Sequence, residues 1–240
     1  MLRKLGPFVA LCAIALISQA VSSAAEFEGI QQGADWLVTQ TGTFFVIGGV
    51  NVPLMGVPDP LFNGADTIIQ RLSDLNVPDV AGSTATTNLH MLELQLQSTA
   101  PVNIGGSFFD VFVNLNPAIP TTGTLTLTQT VSGEGIPEGT FTSFFDVFFT
   151  LTFKQGGVTV PCPIGATAPN CNLELTLTGS GQWTDDVPGV WLVGSVTESH
   201  PGSGVHMARQ IPTAPEPASG LVFATGLAGV VALVNRKRRR

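Results

Sequence analysis

The 240-residue chain is apolar and poor in charge, with 44 % hydrophobic and 11 % charged residues and a net charge of −7. Seven of its ten cations lie in residues 1–25 and 214–240, so residues 26–213 carry only Arg71, Lys154 and Arg209 against 16 carboxylates, a balance of −13. That surface repels phosphate backbones and excludes nucleic acid as a partner; it attracts cations such as calcium, or serves solubility alone.

The chain opens as an export signal. Arg3 and Lys4 precede the ten-residue apolar run Phe8–Ile17, too short for a mature spanning helix, and SQAVSSAA then supplies small residues for a signal peptidase. Cleavage after Ala24 or Ala25 is expected, giving residues 1–25 as signal peptide and 26–213 as the exported domain. That length suffices for one sandwich-sized core or two small ones.

The exported part reads as strands. Polar and apolar residues alternate in LELQLQ (Leu92–Gln97), LTLTQT (Leu125–Thr130), LTF (Leu151–Phe153) and LELTLT (Leu173–Thr178), with Gly/Pro clusters between them. The loops leave no room for helical crossovers. The expectation is therefore an all-β, antiparallel fold, either a β-sandwich or barrel-like. DTIIQRLSDLN (Asp66–Asn76) has apolar residues at helical spacing, yet its β-branched start favours a strand followed by a turn.

One stretch occurs twice: SFFDVFVNL at Ser107–Leu115 and SFFDVFFTL at Ser143–Leu151, 36 residues apart. Strand alternation puts Phe109, Val111, Val113 and Leu115 on one apolar face, matched by Phe145, Val147, Phe149 and Leu151. Asp110 and Asp146 fall on the opposite faces, among phenylalanines. Each copy follows an alternating LxLxx strand, so an internal duplication is expected near 92–115 and 125–151, with LELTL opening a degenerate third unit. Side-by-side repeats would bring Asp110 and Asp146 together. They would then be structural hydrogen-bond acceptors, calcium ligands or a carboxylate pair of glycosidase type. The structural role is the expected one.

Cys162 and Cys171, in PCPIGATAPNC, are the two cysteines left after signal removal, and an even pair in an exported chain reads as a disulfide. GxSxG, HExxH, P-loop and GxGxxG motifs are absent from the sequence, so neither enzyme activity nor a cofactor is expected. ESHPGSGVH brings His200 and His206 near Glu198; a solvated linker is the simpler reading and metal binding the alternative. Trp36, Trp183 and Trp191 could stack on sugars, but 15 phenylalanines and no tyrosine point to dry packing.

The chain ends in PEPASGLVFATGLAGVVALVNRKRRR, residues 215–240. Pro215, Glu216 and Pro217 form a break, 218–234 an apolar run at the short limit for a transmembrane helix, and Arg236, Lys237, Arg238, Arg239 and Arg240 a basic tail that holds its end in the cytoplasm. In the order and length of these parts, the last 26 residues resemble the PEP-CTERM sorting signal. The resemblance implies an exosortase that cuts near Pro215–Pro217, an inner-membrane-anchored precursor, and release to the cell surface or extracellular matrix of a Gram-negative bacterium. An ordinary single-pass anchor is the alternative. DTIIQR, PVNIGGSFFDVFV and FTSFFDVFF are also similar to a recurrent bacterial secreted β-rich domain, a resemblance that implies no activity. Together these features suggest an exported surface or matrix structural protein, processed by signal peptidase and exosortase. The alternative is a carbohydrate- or calcium-binding module of the exopolysaccharide matrix, with exopolysaccharide or a second copy of the chain as partner.

Overall fold

The computed structural model describes residues 27–133, 135–163, 171–200 and 202–213. Fifteen strands follow one another among them: β1 (Phe27–Ile30), β2 (Gly33–Thr39), β3 (Phe44–Ile47), β4 (Val50–Gly56), β5 (Thr67–Arg71), β6 (Leu75–Pro78), β7 (Thr84–Ser98), β8 (Val102–Ile104), β9 (Ser107–Leu115), β10 (Thr121–Gln129), β11 (Gly139–Gln155), β12 (Val158–Val160), β13 (Asn172–Trp183), β14 (Leu192–His200) and β15 (Gly204–Ile211). The all-β, antiparallel expectation holds, and DTIIQRLSDLN is a strand and a turn leading into β6. The signal peptide, the sorting residues and the expected helix 218–234 lie outside the described residues. Among the described residues no helix is long and apolar enough to cross a membrane.

Of sandwich and barrel, the chain adopts the barrel. Strands β2, β5, β7, β10, β11, β13, β14 and β15 pair antiparallel in that order, and β15 returns to β2, closing an eight-strand ring. β7 and β11, at 15 and 17 residues, outrun this ring. Beyond it, β4 replaces β5 along β7, β9 replaces β10 between β7 and β11, and β3 replaces β2 beside β15. Three positions in the wall are thus shared by two strands stacked end to end. A two-stranded sheet of β1 and β6 stands apart from the ring and adds Leu75 and Val77 to the core.

Alternation builds the interior. Along β11, Phe141, Phe145, Val147, Phe149, Leu151 and Phe153 all point inward and are buried. Each buried phenylalanine contributes about 1.5–3 kcal/mol of apolar transfer. Rings meet in the interior, Phe45 of β3 with Phe149 of β11 at 5.8 Å and Phe109 with Phe153 on the neighbouring strands β9 and β11 at 6.0 Å. Gly139 is required where β11 passes Trp183: a Cβ there would lie 2.4 Å from Trp183 Nε1 and 2.1 Å from Thr128 O.

Two sequence expectations need correction. The alternation of LELQLQ places Leu92 with Leu94 and Leu96, but Ile68 faces Glu93 while Ile69 faces Met91, so Leu92 is the extra residue of a β-bulge. It is 49 % exposed, whereas Met91, Leu94 and Leu96 are buried. The duplication is likewise one of side-chain pattern and not of pairing. In the second unit Leu125 stands opposite Ser143. The equivalent pair of the first unit, Leu92 and Ser107, does not form. The hairpin turn at Gly105–Gly106 folds the start of β9 onto β8, Val102 against Phe109, and β7 meets β9 only at Gln95–Gln97.

Candidate functional site

Asp110 and Asp146 do not converge. β9 and β11 are antiparallel neighbours with Asp110 opposite Lys154, and Asp146 lies eight residues away along β11, about 27 Å at the usual rise per residue. Neighbours that run in opposite directions separate equivalent positions, which removes both the glycosidase-type pair and a shared calcium site. Each aspartate is half-buried on the outer face, and Asp146 accepts a hydrogen bond from Thr176 Oγ1 at 3.3 Å. The phenylalanines beside them differ in cover. Phe108 and Phe144 are exposed, while Phe112 is half-buried and carries Lys154 Nζ 4.4 Å from its ring centroid.

Cys162 and Cys171 are joined, with Cα atoms 5.6 Å apart. Cys171 is buried and belongs to the core.

ESHPGSGVH is no solvated linker: Glu198–His200 and Gly204–His206 pair as the ends of β14 and β15, and His206 is buried inside the barrel. Its Nδ1 lies 3.5 Å from Glu198 Oε2 on the paired strand, and its Nε2 lies 3.1 Å from Thr39 Oγ1. Hydroxyl, imidazole and carboxylate in a row have the outline of a nucleophile and its base. The proton inventory rules against it. Thr39 Oγ1 donates to Asp66 Oδ1 at 2.7 Å, so its lone pair must accept from His206 Nε2. Asp66 also receives Thr39 N–H and Thr67 Oγ1, at 2.7 and 2.8 Å. The row is a satisfied polar strut between β2, β5, β14 and β15.

The charged cluster that sequence reading missed sits at the ring end where β2 and β5 pair Gly33 with Arg71. Asp35 and Arg71 are both buried and form an ion pair. Asp35 Oδ1 also accepts from Trp191 Nε1 at 2.5 Å and Gln210 Nε2 at 3.0 Å. The other end of the Gln210 amide accepts the N–H groups of Trp191 and Leu192, both at 2.9 Å. Arg71 Nε donates to Gln31 O at 3.0 Å, and its guanidinium lies 5.6 Å from the Trp191 ring centroid. Burial pushes the Asp35 carboxyl above its ordinary range, and Arg71 pulls against that shift. Over this floor opens a cavity of about 600 Å³, lined among others by Gln31, Gln32, Trp36, Arg71, Asp185 and Trp191. Of the three tryptophans, Trp183 and Trp191 are core residues, and only Trp36 is half-buried.

Beside the cavity stand three acids. Carboxylate oxygens of Glu138, Asp185 and Asp186 lie within 4.8 Å of one another. Glu138 is fully buried and accepts from Thr184 Oγ1 at 2.9 Å and from Asp185 N–H at 3.1 Å. Burial pushes its carboxyl up to about 7, and a hydrogen bond with the Asp185 carboxyl adds to the shift. Asp185 in turn takes Gly29 N–H at 2.6 Å, tying β1 to this loop. In the sequence Glu138 and the Asp185–Asp186 pair stand in turn clusters 47 positions apart, and no spacing joins them.

Compared with known protein families, curated proteins and solved structures, the chain matches none.

Proposed function

We propose that this is an exported structural protein of a bacterial surface or matrix, delivered by its N-terminal signal and sorted by its C-terminal tag. The Cys162–Cys171 disulfide carries the reading, because such bonds form and persist in oxidising compartments outside the cytoplasm. The phenylalanine-packed barrel supports it by giving a rigid building unit. Intact-mass analysis of protein extracted from the surface of a host with an exosortase tests the route. The chain should start at Ala25 or Glu26 and lack Arg236–Arg240. Retention of the basic tail would make the anchor permanent and end the sorting proposal.

A second reading, a carbohydrate-binding module of the same matrix, is favoured by the cavity over Arg71 and Trp36.

A further inference from the structure

We infer that the cavity at the Asp35–Arg71 end of the barrel is a binding site for a neutral sugar, and that Arg71 Nη2 is its central donor. The inference rests on the carbohydrate reading and is independent of the export route. Its geometry begins with Arg71. Nε is held by Gln31 O, Nη1 by Asp35, and the guanidinium plane stands near the Trp191 ring. The direction of the remaining nitrogen is therefore fixed before any ligand arrives, so binding orders little that the fold has not already ordered. Nη2 makes no hydrogen bond within the described residues.

Gly33 keeps that donor bare. It faces Arg71 across the β2–β5 pair, and a Cβ at Gly33 would sit 3.3 Å from Nη2. Any side chain there would cover the nitrogen on the cavity side.

Charge selects the ligand class. Asp35 offsets Arg71, and Asp185 stands on the rim, so a free anion gains no net attraction from the site and meets a strongly acidic domain on approach. A cation meets the N–H face of Arg71 at the floor and not the carboxylate, since Asp35 is buried and its Oδ1 already takes Arg71, Trp191 and Gln210 as donors. What the lining offers is a donor at the floor, an acceptor at Asp185, and the exposed amides of Gln31 and Gln32, each able to donate and accept. Hydroxyls, which also do both, satisfy this set. Trp36, Ile30 and Val187 supply apolar surface for the carbon face of a ring. The volume of about 600 Å³ lies within the usual range of small-ligand pockets, and a barrel mouth is one of their common places.

The test is a titration of the full chain, held in a sugar-free detergent, with glucose, galactose, mannose, N-acetylglucosamine, cellobiose and lactose. Glucuronate and glucosamine serve as charged counterparts. Tryptophan fluorescence and calorimetry read binding. At least one neutral sugar should bind saturably, and Gly33→Ala, whose single methyl already stands 3.3 Å from Nη2, should weaken it at least tenfold. Gln32→Ala, which removes only an exposed side chain, should weaken it by a smaller factor. Silence toward every neutral sugar overturns the inference, as does binding of the charged sugars alone. Wild-type affinity in both variants would place any bound sugar elsewhere and overturn it equally.

Discussion

Glu138 is an acid held beside another acid, and its proton has a thermodynamic consequence. Its folded value of about 7 lies above the ordinary 4.5, so its contribution to stability is fully present below about pH 4.5 and is lost as pH rises through 7. The melting temperature should therefore fall between about pH 4.5 and 7. Glu138→Gln keeps an acceptor for Thr184 and Asp185 N–H and should flatten that fall; an unchanged slope would show that another group sets it. The Asp35–Arg71 pair makes a different claim. Arg71→Leu leaves a buried carboxylate uncompensated and should cost about 3–5 kcal/mol in urea unfolding, while adding Asp35→Asn should recover part of the loss. Neither cluster was legible in the sequence. Arg71 sits in DTIIQRL 36 positions from Asp35, and pairing at that distance is set by strand register, which no periodicity encodes.

At the scale of strands, the sequence was legible wherever one face is core. Phe145, Val147, Phe149 and Leu151 lie inward as their spacing requires. It misled where the backbone breaks step. The bulge at Leu92 moves one leucine of LELQLQ to the surface, and the measurable result is an asymmetry between neighbours. Leu92→Thr should change stability by no more than about 0.5 kcal/mol, whereas Leu94→Ala should cost about 2–5. Chemical denaturation of the two variants decides it; equal losses would mean the alternation is unbroken. The repeated SFFDVF misled in the same way, since a shared face pattern does not fix a shared partner. Between strands, Cys162→Ala opens a loop of about ten residues and should lower stability by roughly 2.5–3 kcal/mol. Cys171, being buried, should then label only slowly with a thiol probe until the protein unfolds.

For the whole molecule, composition and alternation settled an all-β, antiparallel class but left sandwich and barrel open. The deciding contact is the pairing of β15 with β2, Ala208–Ile211 against Thr39–Trp36, which joins opposite ends of the domain. Local sequence carries no mark of so distant a pair. Barrel closure of this kind also implies slow folding, because the final seam must wait for loops spanning nearly the whole domain.

That seam also governs how the molecule answers a mechanical load. β15 is the last strand among the described residues, hydrogen-bonded to β14 on one edge and to β2 on the other. Tension applied beyond Ile211 runs along β15, perpendicular to those bonds. It loads both rows in shear instead of opening them one at a time. A domain tethered at this end can bear pull on the strand that closes it, and its resistance to being drawn out at one end is a property of the seam more than of the core.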